Sequence, residues 1–211
     1  MAIPVWTARE FAQYYSVTDG RQGSPTKGEE FGYGRTWALL FNTKTPGALT
    51  HFLDRWQRCV DVMGISPEDR VLIVGAAFGF LVESARDSGY PNVFGLDSSD
   101  YVAHDPNNDR REDIDILHYD LRDPLLKEHL ETALGVSSFD LVITEDMVAC
   151  YSDEDVQSFA PILNSLADQV LHITTVGSHN PKVSDINWHT LEEWKALIPT
   201  HIWMTSSGEK I

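Results

Sequence analysis

DRVLIVGAAFGFLVESARDSGYPNVFGLDSS, residues 69–99, decides the fold. Val71, Leu72, Ile73 and Val74 form a short apolar, β-branched run, the pattern of a strand buried on both faces. A turn of small residues follows at once, Gly75-Ala76-Ala77-Phe78-Gly79, and then a polar helical interval. A second apolar run, Val93-Phe94-Gly95-Leu96, ends on an acid, Asp97. The spacing predicts a strand, a tight loop, a helix and a second parallel strand. Small loop residues let main chain approach a ligand closely, and the helix offers unpaired N–H groups at its start. An acid at the tip of the second strand can accept both hydroxyls of a ribose. The stretch is suited to holding a nucleoside.

A dinucleotide fingerprint, G-x-G-x-x-G, needs a small sixth residue so that the helix packs tightly on the sheet. Phe80 stands there, which disfavours an NAD-type oxidoreductase. Gly79 at the fifth position gives G-x-A-x-G instead. That spacing resembles the glycine-rich loop of class I S-adenosylmethionine-dependent methyltransferases, in which the loop wraps the methionine part of the cofactor. The resemblance runs from about Pro67 to Trp203.

It implies S-adenosyl-L-methionine as cofactor, with Gly75, Ala76, Ala77, Phe78 and Gly79 forming the cradle, and Asp97, beside Ser98, binding the ribose. The third strand falls in DIDILHYDLRDP, around Ile114, Ile116 and Tyr119, with Asp120 and Leu121 just beyond it on the adenine side. The fourth reads Phe139–Thr144, and Glu145-Asp146-Met147-Val148 follows at its mouth. A helix in SDEDVQSFAPILNSLAD leads to a fifth strand, Gln169–Gly177, and His201–Thr205 reads as a sixth. The family's seventh strand, antiparallel at the sheet edge, is not evident before Ile211. The expected fold is α/β, Rossmann-like and doubly wound, with a mainly parallel sheet of six visible strands and an N-terminal helical cap.

Two positions depart from the family pattern. Ile73 stands two residues before the first glycine, where the family often has an acid that orients the loop or the methionine amino group. Ala77 replaces the middle glycine, and its methyl calls for a wider turn or a negative φ. These departures favour an alternative, a non-catalytic Rossmann-like interaction protein with a degenerate cofactor site. Gly75, Gly79, Asp97 and Asp120 favour the enzyme.

Residues 1–66 read as the helical cap and a possible lid, and residues 67–211 as the cofactor-binding domain, the two forming one structural unit. TAREFAQYYS (residues 7–16) has a capping box in Thr7 and Glu10. The Gly-, Ser- and Pro-rich stretch 18–34 leads to Tyr33, Arg35 and Trp37 and reads equally as a lid that closes over a site or as a disordered loop ending in a packed anchor. Pro46 opens a helix whose apolar stripe is Leu49, Phe52, Leu53, Trp56, Val60 and Met63, with Gly64 as its C-cap. Asp123 and Gly135 bound the helix before the fourth strand, and Thr190 with Glu193 forms a capping box near the end.

The 211 residues, 42% of them hydrophobic, suit one enzyme domain. Two cysteines, Cys59 and Cys150, make neither a disulfide framework nor a metal set, and Cys150 reads as a small buried hydrophobe. No signal peptide and no apolar run of the ~20 residues that span a bilayer are evident, so a cytoplasmic protein without a membrane segment is expected. A net charge of −16 repels phosphates and disfavours a nucleic-acid partner. The residues after the fourth strand also lack the Asn/Asp-Pro-Pro-aromatic turn of amino-methylating DNA enzymes. No metal is expected, because no Asp-Asn pair follows the fifth strand, where Asn180 stands beside His179.

With an activated methyl donor, the protein has only to align a nucleophile and, where needed, remove its proton. Glu145, Asp146 and His179 are the candidate catalytic residues, with His179 as general base and Glu145 also near the cofactor; His189 lies in the same region. Tyr14, Tyr15, Tyr33, Trp188 and Trp203 suit either an apolar or methylated-amine substrate or the core. The acceptor is read as a small molecule or a protein side chain, and the oligomeric state is left open.

Overall fold

Short β-branched runs bounded by turns become the strands of the structure, a computed structural model that describes residues 46–77, 79–98, 116–145, 147–148, 151–174 and 189–205. The predicted helix at residues 7–16, the stretch 18–34 with Tyr33, Arg35 and Trp37, and Phe78, Ile114, Asp146, Cys150, His179, Asn180 and Trp188 lie outside the described residues.

In chain order the elements are α1 (Pro46–Met63), β1 (Val71–Val74), α2 (Phe80–Asp87), β2 (Val93–Asp97), β3 (Ile116–His118), α3 (Leu126–Leu134), β4 (Phe139–Glu145), α4 (Asp153–Leu166), β5 (Ala167–Thr174), α5 (Leu191–Leu197) and β6 (Ile202–Thr205). The sheet has the order β3-β2-β1-β4-β5-β6, and every pairing is parallel. β6 bonds directly to β5, with Leu171 opposite Ile202, and no antiparallel strand stands among the described residues. β1 sits between β2 and β4, so the chain reverses its direction of travel across the sheet at the β1/β4 boundary. Open α/β sheets place ligands at the carboxyl end of that boundary.

Alternation along the strands sends side chains to two faces. Val71, Ile73, Leu141, Ile143, Leu171, Ile173 and Met204 pack with Phe52 and Trp56 of α1 and Phe80, Leu81 and Val82 of α2. Leu72, Val74, Val142 and Val170 meet Leu126 and Leu130 of α3 and Phe159 and Leu163 of α4 on the other face. A smaller cluster joins Val156 of α4, Leu191 and Trp194 of α5 and Trp203 of β6. Trp203 is therefore a core residue.

Local rules set most helix ends. Ser152 caps α4 by accepting the Asp155 N–H, and the Thr190–Glu193 capping box opens α5 as its spacing predicts. Gly64 ends α1, its N–H donating to the Val60 carbonyl at 2.8 Å. Asp123 does not cap α3 as expected. Its carboxylate accepts the Leu125 N–H and its carbonyl the Leu126 N–H, so a separate turn forms and the N-cap falls two residues later, at Leu125. The stripe on α1 is also corrected. Leu53 is 46% exposed, whereas Arg55 and Cys59 are buried beside Phe52 and Trp56. Arg55 has a charged partner on this face of the sheet, described below. Burial, with the nearby Glu145 charge second, pushes the Cys59 thiol up to about 12.

Candidate active site

The carboxyl ends of β1, β2, β3 and β4 carry the residues singled out by the sequence. Immediately after β1 the chain turns through three left-handed residues, Gly75 (φ +76°), Ala77 (φ +46°) and Gly79 (φ +79°). The expectation of a negative φ at Ala77 is thus corrected. Its N–H donates to Oδ2 of Asp97 at 2.8 Å, and the Gly79 N–H donates to the Ala76 carbonyl at 2.8 Å. A further pair of bonds, from the Gly75 and Ala76 N–H groups to the Leu96 carbonyl, binds the start of the turn to β2.

Gly75 lies against the mouth of β4. A Cβ there would stand 3.0 Å from the Cβ of Met147 and 3.4 Å from the Glu145 carbonyl. The glycine turn and the mouth of β4 therefore face each other across the strand-order reversal. α2 begins at Phe80 with no side-chain cap at Gly79, so the first N–H groups of this helix are not capped by the preceding residue. The Phe80 ring is buried, 5.5 Å from Phe52 of α1.

Asp97, at the tip of β2, is brought to the turn by the Ala77 bond. Ser98, next in sequence, is exposed, and its carbonyl lies 3.1 Å from the His118 ring nitrogen at the end of β3. Asp120 is gripped by Arg122, whose Nε and Nη2 donate to its two oxygens at 3.0 and 2.8 Å while the Arg122 N–H adds a bond of 2.8 Å. These bonds hold the Asp120 carboxyl below the usual carboxylate range. Leu121 is buried beneath it. Arg122 escaped the sequence reading, although an arginine two residues after an acid is a local signal.

Glu145 is buried and accepts a 2.6 Å ion-pair hydrogen bond from Nη1 of Arg55 on α1; the side chains are 3% and 7% exposed. Arg55 also escaped the sequence reading. The signal available was a cation within the spacing Phe52, Trp56, Cys59.

His189 lies apart, at the start of α5, where its Nε2 meets Asp153 of α4 at 2.8 Å and its ring stands edge-on to Trp194. On the face away from Arg55, a chain runs from the buried Thr144, His172 and His201 to the exposed Asn164, with contacts of 2.6, 2.8 and 3.1 Å. The partners assign its direction. Asn164 offers an oxygen, so His201 donates from Nε2; His201 then accepts from His172, and His172 accepts from the Thr144 hydroxyl.

Among the described residues no cluster of His, Cys, Asp and Glu could hold a metal ion, and no helix is long and apolar enough to cross a membrane.

No protein-family model and no curated protein matches the sequence. Solved structures do match the fold. The magnesium protoporphyrin IX methyltransferase of Synechocystis PCC 6803, determined with bound S-adenosylmethionine, aligns over 77% of this chain and 76% of its own, with 17% identity and a TM-score of 0.51. An S-adenosylmethionine-dependent methyltransferase from Archaeoglobus fulgidus aligns over 77% and 72%, with 15% identity and a TM-score of 0.54. The chain has the class I methyltransferase fold. The plantazolicin methyltransferase BpumL, solved with S-adenosylhomocysteine and a desmethyl substrate analogue, is a third match to this methyltransferase fold, covering 78% and 68% at 14% identity with a TM-score of 0.54.

Proposed function

We propose that this protein is a cytoplasmic S-adenosylmethionine-dependent methyltransferase that transfers a methyl group directly to a small molecule or a protein side chain. The observation that carries the reading is the bond between the Ala77 N–H and Asp97. It sets an acid at the tip of β2 against a left-handed turn at the tip of β1, beside the reversal of strand order.

The residues suit the cofactor. A carboxylate oxygen has two lone pairs, so Asp97 can keep the Ala77 N–H and still accept from a ribose diol. Gly75, Ala76, Ala77 and Gly79 present main chain at the turn, and the lack of a Cβ at Gly75 lets the turn lie close against Met147. We assign Ser98, Asp120 and Leu121, beyond the ends of β2 and β3, to the adenine side, and Glu145, at the end of β4, to the neighbourhood of the cofactor. When bound, the cofactor supplies a methyl group already activated on a sulfonium. The chain then has to hold the acceptor's nucleophile in line and take its proton, roles we assign to Glu145, Asp146 and His179.

Calorimetry with S-adenosylmethionine, S-adenosylhomocysteine and NAD tests the proposal. Binding of the first two without the third is expected. Binding of none points to the interaction protein with a degenerate site, and binding of NAD alone to an oxidoreductase.

A further inference from the structure

The α4 side of the sheet carries two separate clusters of buried apolar residues. On β5 one of them ends at Val170, on β6 the other begins at Trp203, and His172 stands between the two. Thr144, His172, Thr174, His201 and Thr205 are all buried, and alternation puts them on this one face. β6 thus meets β5 here across a polar seam. On the opposite face Met204 joins the main core and Ile202 packs at its edge. α5 packs on β6, and Nε1 of its Trp194 is buried with no hydrogen-bond partner among the described residues. An unpaired buried donor costs stability. The unit of α5 and β6 is therefore held less firmly than β1, which is buried on both faces between β2 and β4.

The seam is closed by the chain from Thr144 through His172 and His201 to Asn164. Thr144 of β4, Trp203 of β6 and Asn164 of α4 face the two rings, and none of them titrates. α5 presents Trp194 to Trp203, with the ring centres 5.4 Å apart. Among the described residues no carboxylate, lysine or arginine pairs with either imidazole. A first proton on the chain therefore buries a charge without a counter-ion, and a second sets donor against donor. Once β6 leaves β5, both rings face water and take up protons at no such cost. The chain ends at the exposed Asn164, so the seam reaches solvent at one end.

We infer that α5 and β6 form an acid-released flap, held on β5 by the Thr144–His172–His201–Asn164 chain and opening as the two imidazoles take up protons. His189, at the start of α5, lies outside the seam and meets Asp153 of α4 at 2.8 Å, which makes that contact the pivot. The inference does not depend on the cofactor reading.

Amide hydrogen exchange of the full chain, resolved by nuclear magnetic resonance, reads the flap directly. At about pH 7.5 the amides that bond β6 to β5 are expected to open roughly tenfold or more above those of β1, whose exchange reports opening of the whole sheet. Between about pH 7.5 and about pH 5.5 the β6 opening constant should rise about a hundredfold, about tenfold for each histidine released to water. His172→Phe should cut that rise to about tenfold or less. His201→Phe should do the same, so either variant that folds carries this arm. Equal protection of β6 and β1, a wild-type rise below about tenfold, or an undiminished rise in either folded variant overturns the flap.

Discussion

Oγ1 of Thr144 lies 2.6 Å from Nδ1 of His172, on the opposite face of β4 from the Glu145 carboxylate. Thr144 and His172 are in register across β4 and β5, and the chain of bonds continues through His201 to Asn164 on α4. His172 is also stacked on Trp203, 4.2 Å between ring centres. Four polar side chains from β4, β5, α4 and the start of β6 are satisfied with both imidazoles neutral. Protonating both rings would set two N–H groups against each other between Nε2 of His172 and Nδ1 of His201.

Acid should therefore loosen this side of the sheet. Burial, and then the neighbouring His201, holds His172 well below the ordinary value of 6.5, and burial lowers His201 from the same value. The unfolded chain thus takes up protons before the folded one does. The contribution of the pair is fully present above 6.5 and is lost as the pH falls below it toward the folded values. Each histidine can add a slope of up to about 1.4 kcal/mol per pH unit. Thermal melts between about pH 7.5 and about pH 5.5 should show a falling midpoint in the wild type. His172→Phe should be less stable at the upper pH, with a clearly shallower fall; an equal fall in both would exclude His172 as its source.

Ala77 pays for its left-handed conformation. A non-glycine residue at φ +46° costs about 1 kcal/mol, and glycine removes that strain while adding freedom to the unfolded chain. Ala77→Gly should leave stability unchanged or raise it by up to about 1 kcal/mol in denaturant titration. A loss of more than about 1 kcal/mol would show that the Ala77 methyl makes a packing contribution larger than its strain.

Gly95 should tolerate no side chain. A Cβ there would collide with Ile116 Cδ1 of β3 and stand 3.0 Å from the Ala76 Cβ and 3.3 Å from Val82. The Ile116 tip can rotate, but Ala76 is tied into the glycine turn by its bond to Leu96. Gly95→Ala is expected to cost about 1–3 kcal/mol, as overpacked cores do. Because the clash pushes on the turn, it should weaken S-adenosylhomocysteine binding as well, which calorimetry on the folded variant would read.

Asp97→Ala should reduce affinity for the methyl donor by roughly tenfold or more, the scale of losing charge-assisted hydrogen bonds. It removes the acceptor for the Ala77 N–H at the same time. Asp97→Asn keeps an oxygen for that N–H and gives up the charge, so it should fall between wild type and Asp97→Ala. Unchanged affinity in Asp97→Ala would remove the ribose assignment.

Much of this architecture was legible because its signals are local. β1, β2 and β4 are apolar runs between turn formers, and the caps at Ser152 and Thr190 follow from residues three apart. The Gly75–Gly79 turn and the terminal acid Asp97 were readable for the same reason. Ala77 was misread because its φ is imposed by a bond to a residue 20 positions away. Arg55 meets Glu145 across 90 positions, and the relay joins residues 28, 29 and 37 apart. No periodicity encodes such partners. In an amphipathic pattern Arg55 simply reads as the edge of a stripe, and His172 as a polar interruption in a strand. Arg122 is the exception, a short-range partner of Asp120 that spacing could have revealed.

Cys59 lies one helical turn beyond Arg55 on α1, wholly buried, its thiol pushed up to about 12. A thiol in that state does not react with alkylating reagents while the helix stays docked. The rate at which Cys59 is labelled thus becomes a clock for the undocking of α1. Loosening the Arg55–Glu145 contact, which seats α1 on the end of β4, should quicken that clock.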